Sequence, residues 1–285
     1  MRRENHSSMS EYLLLGLPVH LVQQGMYFAL FLGMYLTTVL GQLLIIMLIR
    51  LDPRLHTPMY FFFSHLALTD ISFLSVMVLK MLMNMKTQDH SISYAGRVTQ
   101  MYFFLFLACT DNLLLSVMAY DRYMAICHPL HYAMLMREEL CLCLLAGSWL
   151  LSCASALTDT FLLAQLSFCA NNIVPLFCEL ADLLKLSCSD ISLNELVIFT
   201  TRAAAVILPL SGILVSYGCT GVSILRVPST KGICKALSTC GSHLSVVSLF
   251  YGTMMALYFF FSSSQSFDKD IIASVMCTVV TPMLN

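Results

Sequence analysis

Charge is what this chain has least of. Only 11% of its 285 residues are Asp, Glu, Lys or Arg, and the formal net charge is -1. Soluble domains carry about 25% charged residues. With 58% hydrophobic residues, this chain needs a bilayer as the solvent for most of its apolar runs. The near-zero net charge offers no basic face to phosphates, which excludes nucleic acid as a partner. Trp149 is the single tryptophan. No cleavable leader is expected, because residues 1–10 are polar and the apolar run 13–17 is short and stopped by Pro18. No CxxC or Cys/His spacing reads as a metal site. Neither a Ser/His/Asp arrangement nor a phosphate loop is present, so the reading is not an enzyme, with no metal and no cofactor. Paired broken helices and internal repeats are missing too, which leaves a transporter without support.

What is present is a series of long apolar spans. They fall at about 24–49, 57–79, 98–120, 140–158, 196–225, 236–261 and 271–285. Arg50 and the Asp52-Pro53 turn close the first, Thr57 and Pro58 suit the start of the second, and Pro209 loosens the fifth. The fold class expected is an all-α membrane protein, one domain over 1–285, built as a seven-transmembrane helix bundle whose seventh helix is truncated. The longest connection runs from Asp159 to Glu195. Eight cysteines lie in or beside apolar runs, where a thiol packs as a small hydrophobe. Cys169, Cys178 and Cys188 cluster in the long polar connection and point to disulfide chemistry on an oxidising face. Cys234 stands apart in a short basic loop. Asn5-His6-Ser7 is a glycosylation sequon. Basic residues favour one set of loops only modestly, so the sequon and the cysteine cluster decide the orientation, with the N-terminus outside.

Two carboxylates, Asp70 and Asp111, fall near mid-membrane, where an ionised group is costly and usually functional. They either share a proton or hold a cation such as sodium, or each is satisfied by polar neighbours and fixes helix packing. In the third span, Phe104, Leu105, Ala108 and Cys109 are spaced to share one face. Tyr251, Met254, Met255 and Tyr258 repeat the spacing in the sixth. Such stripes are more often packing than a ligand site. Tyr217, near the end of the fifth span, is the kind of residue that anchors at an interface.

The stretch Met118-Ala-Tyr-Asp-Arg-Tyr-Met-Ala-Ile-Cys-His-Pro-Leu-His-Tyr132 places Asp121 and Arg122 at the end of the third span. It resembles the olfactory receptors, a branch of the rhodopsin-like G-protein-coupled receptors. Leu55-His-Thr-Pro-Met-Tyr-Phe61, Leu66-Ala-Leu-Thr-Asp70, Ser216-Tyr217 and Lys235-Ala-Leu-Ser-Thr-Cys-Gly-Ser-His-Leu244 extend the match over nearly all the chain. The resemblance implies a small volatile odorant bound among the third, fifth and sixth helices, in a dry cavity with few polar handles. It implies a stimulatory olfactory-type heterotrimeric G protein as partner, and a plasma-membrane location with lipid around the helices. A switch would use Asp121, Arg122, Tyr123, Tyr217 and Lys235. Arg122 is expected to pair with Asp121 at rest and to be released when the sixth helix swings outward.

The sequence departs from the family at four places. Gln42 follows Gly41 where relatives have Asn. Arg97 replaces the cysteine that ties the third helix to the second external loop. Arg202 puts a guanidinium into the fifth span. The last span, 271–285, reaches about 22 Å against about 30 Å of hydrocarbon. The competing expectation is therefore a degenerate, non-signalling remnant retained in the endoplasmic reticulum. Because Arg97 removes the partner that relatives offer to Cys178, Cys169 and Cys188 are expected to form the external disulfide. Closing that loop stabilises by roughly 3 kcal/mol in the chain-entropy picture. Mass-spectrometric mapping under non-reducing conditions checks it, and a bridge to Cys178 would defeat it.

Overall fold

The computed structural model describes residues 12–13, 21–87, 91–92, 94–164, 192–225, 238, 240, 241 and 243–252. Helix α1 covers Leu21–Leu51 and α2 Pro58–Thr87. Next come α3, Tyr94–Cys127, and the short α4, Pro129–Leu135. Helix α5 covers Glu138–Ala164, α6 Ser192–Leu225 and α7 His243–Gly252. Five helices are long and apolar enough to cross a membrane, over Phe28–Leu51, Pro58–Val76, Val98–Cys127, Glu138–Leu162 and Thr200–Ile224. Helix α7 lies within the expected sixth span, and the expected seventh span lies outside the described residues. Tyr12–Leu13 (β1) pairs antiparallel with Ser91–Ile92 (β2), Tyr12 opposite Ile92. This small pairing leaves the all-α class intact and ties the tail to the α2–α3 connector.

Local chemistry explains the breaks. The Asp52 side chain accepts from the Arg54 N–H at 2.9 Å and caps a single 3-10 turn, Pro53–Leu55. Thr57 O then accepts from Phe61 N–H at 3.0 Å and opens α2, with Pro58 where a missing N–H costs nothing. Helix α3 ends at Cys127, and Pro129 opens α4 rather than a loose loop. One expectation is overturned here. Asp159 does not begin the long external connection but lies inside α5, only 2% exposed. Its helix continues because Phe161-Leu-Leu-Ala164 extends the apolar run beyond the polar Thr158-Asp-Thr160.

Helix α3 is the hub. It packs against α2, α5 and α6, and α1 reaches the bundle through α2. The main core gathers Phe62 and Leu66 of α2, Leu114, Leu115, Met118 and Ala119 of α3, Ile213 of α6 and Val247 and Tyr251 of α7. A smaller cluster joins Phe73 and Leu107, with Phe104 and Ala108 packed on it. At Gly212 α6 approaches α3 closely, and an added Cβ would lie 3.1 Å from Ser116 Oγ, a tight contact. Leu150 and Leu208, 71% and 69% exposed, face outward as lipid-facing residues should.

Lipid tails are as apolar as leucine, so packing rather than water exclusion rewards burial in this bundle. Leu114→Ala is expected to cost about 2 kcal/mol, the low end of the cavity range, because the cavity remains while the transfer contribution shrinks. Leu150→Ala should leave thermal unfolding in detergent unchanged.

Candidate functional site

Three levels of buried polar contacts run along α3. At the middle level, Asp70 and Asp111 are buried, and each has a donor on a neighbouring helix. Gln42 Nε2 of α1 donates to Asp70 Oδ2 at 3.3 Å. Thr69 Oγ1 of α2 donates to Asp111 Oδ1 at 2.5 Å and lies 2.8 Å from Leu66 O. Gln42 is thus the α1 side chain that reaches Asp70. The two contacts tie α1 to α2 and α2 to α3.

At the end of α3 that carries Arg122, Asp121 is 1% exposed and accepts from Tyr132 Oη at 2.8 Å. The expected Asp121–Arg122 pair is not formed. Successive helix residues point about 100° apart, and α4 turns the chain back so that Tyr132 reaches the carboxylate instead. Burial, then the Asp121 charge, pushes the Tyr132 hydroxyl well above its ordinary value. A raised folded value means that its contribution is complete below about pH 10 and fades only above it, so Tyr132 stays a donor in neutral solution. The Arg122 charge is still felt at Asp121 and Tyr132, without an ion pair. It also acts on Tyr217 and on Cys240 and His243. Tyr217 Oη and His243 Nδ1 are 2.5 Å apart and join α6 to α7. Tyr123 Oη meets His128 Nε2 at 3.1 Å.

At the opposite level, the four candidate residues of α3 do not share one face. Phe104 and Ala108 pack toward α2, with the Phe104 and Phe73 ring centroids 5.4 Å apart. Leu105 is buried. Cys109 points between α5 and α6, where it meets Ser152 and the fields of Arg202 and Asp159. Rows at 104/108 and 105/109 are one residue apart, so they diverge. Tyr251 is buried in the main core, and its hydroxyl has no hydrogen-bond partner among the described residues. Arg202 Nε donates to Asp159 Oδ2 at 2.9 Å, and Thr201 Oγ1 donates to Oδ1 at 2.9 Å. Asn5, Cys169, Cys188, Lys235, Met254, Met255 and Tyr258 lie outside the described residues, and the Arg97 side chain is not described either. No group of three metal-ligating side chains occurs among the described residues.

A family model described as "Olfactory receptor" matches residues 31–285. The chain belongs to the olfactory receptor family. Human olfactory receptor 1J4 is 68% identical over 286 aligned residues, which cover all of this chain and 91% of that receptor. Human olfactory receptor 1J1 is 65% identical, with 89% of its length covered, and mouse olfactory receptor 1J1 is 61% identical, with 91% covered. Family membership and the apolar helices make the chain a multi-pass protein of the cell membrane, a receptor and not an enzyme.

Sequence reasoning missed Tyr132, His243, Thr69 and Asp159 as polar partners. Thr69, Tyr132 and His243 stand inside the receptor strings themselves, which was the available signal. Thr69→Val keeps the side-chain shape but removes the donor to Asp111. It is expected to destabilise by about 1–3 kcal/mol, the cost of an unmet buried acceptor. Ser72→Ala, whose hydroxyl bonds only Leu68 O four residues back, should stay within about 0.5 kcal/mol in the same detergent unfolding measurement.

Proposed function

We propose that this olfactory receptor binds a small, mainly apolar volatile inside its helix bundle and activates a stimulatory olfactory-type G protein. Of the α3 candidates, Cys109 and Leu105 one turn before it would line the ligand, together with Tyr251, Met254, Met255 and Tyr258, while Phe104 and Ala108 pack on α2. Asp70 and Asp111 act as the polar core between the ligand and the switch, where a proton or cation would be held. In this reading the N-terminus, with a glycan on Asn5, and the Cys169–Cys188 bridge lie outside the cell.

The observation that carries the proposal is the position of Arg122. Tyr132 bonds Asp121 in its place, and the Arg122 charge, not paired with Asp121, also reaches Tyr217 and His243, the contact that joins α6 to α7. Movement of α7 away from α6 breaks that contact and uncovers a cation at the membrane edge. Tyr123 and Lys235 would frame the same docking surface. Ligand binding drives the change only through contacts that differ between the two states, and Tyr251 on α7, packed against α3, is placed to provide them.

Arg122→Ala is expected to abolish ligand-driven cyclic AMP in cells challenged with a volatile panel, while surface staining is unchanged. Full output from this variant would remove Arg122 from the mechanism. A wild-type chain that reaches the surface and answers no volatile would defeat the wider reading.

A further inference from the structure

Arg202 is held in an unusual way. Its Nε, not the terminal fork, bonds Asp159. Its Nη2 is closed to solvent and has no acceptor among the described residues. Both Asp159 oxygens are engaged, one by Thr201 and one by Arg202. The pair lies where α5 ends and α6 begins, with Cys109 of α3 in its field. It therefore borders the α3 face to which the ligand is assigned, at the end of the bundle remote from Arg122.

We propose that Arg202 Nη2 is a polar anchor for a neutral carbonyl oxygen, and that the ligand is a volatile ketone or ester. This rests on the odorant-receptor reading and gives it a chemical class. The charge balance selects the class. Arg202 and Asp159 already cancel, so a carboxylate ligand brings an unneutralised charge into a site of low dielectric. An ammonium ligand meets the like charge of the guanidinium, and the Asp159 charge is already balanced by it. A hydrocarbon leaves Nη2 as it is, buried and unmet. A neutral acceptor satisfies that donor and adds no charge. The hydrogen bond gains strength because its donor is ionised. An apolar tail can then extend among the side chains of the bundle.

The test uses the purified full chain in detergent and reads thermal unfolding during titration with 2-octanone, methyl heptanoate, octanoate, octylamine and octane. The ketone and ester should reach half-maximal stabilisation at about tenfold lower concentration than the other three, as one charge-assisted bond allows. Arg202→Lys keeps a cation for Asp159 but removes the second nitrogen. It should abolish the ketone preference and leave octane unchanged. Asp159→Asn leaves Arg202 unneutralised, so octanoate should overtake the ketone, a reversal that a merely structural ion pair would not produce. The anchor is overturned if octanoate or octane matches the ketone on the wild-type chain, if Arg202→Lys keeps the preference, or if none of the probes stabilises. A receptor that answers volatiles in cells while its ketone affinity ignores Arg202 defeats this assignment alone. One that answers none defeats the reading beneath it.

Discussion

A bilayer gives an apolar helix no reason to leave it, so contacts other than hydrophobic burial must decide which faces meet. In this chain the decision falls to α3. Its apolar residues fill the space against three neighbours, and its two buried carboxylates must find donors, since neither water nor lipid supplies them. Thr69 answers Asp111 and Tyr132 answers Asp121. Each answer fixes a rotation. Turning α3 by one residue would carry both carboxylates away from their donors and expose them to hydrocarbon. The packing of Leu114 and Leu115 then follows from a register that polar contacts set.

The spans were legible because the apolar runs are long and their breaks are chemical. Asp52-Pro53, Thr57-Pro58 and Pro129 mark the same boundaries in the sequence and in the structure. Asp159 was not legible. A polar Thr158-Asp-Thr160 run beside a polar connector looks like a helix end, and only Arg202, more than forty residues on, shows why a carboxylate belongs inside the bundle. The partner of Asp121 was hidden for a related reason. Adjacent opposite charges suggest a pair, while helix geometry separates their directions and a short helix returns Tyr132 to the site. Residue types mark where polarity will be buried; the partners come from topology, which one sequence does not display.

The contacts are unevenly distributed along α6, and this bears on how a signal would travel. Near its start, α6 is tied to α5 by an ion pair supported by Thr201. Near its end it holds α7 through Tyr217–His243 and meets α3 through Cys127 Sγ and Ser223 Oγ at 3.1 Å, a weak thiol contact. Pro209 lies between, buried within the helix, and removes one backbone hydrogen bond there. From Arg202 to Pro209 is about 10 Å of rise, and from Pro209 to Tyr217 about 12 Å. One half of α6 is thus pinned by charge at the end where the ligand is proposed to bind. Among the described residues, the other half adds a Tyr–His contact and a thiol to the apolar packing of Ile213, across a point where the helix ladder is already interrupted. In the proposed signalling step, a ligand engaged at the pinned half must supply enough energy to break that contact and loosen the apolar packing around it. The bend at Pro209 lets the two ends move separately, so the ligand site can stay assembled while Arg122 is uncovered.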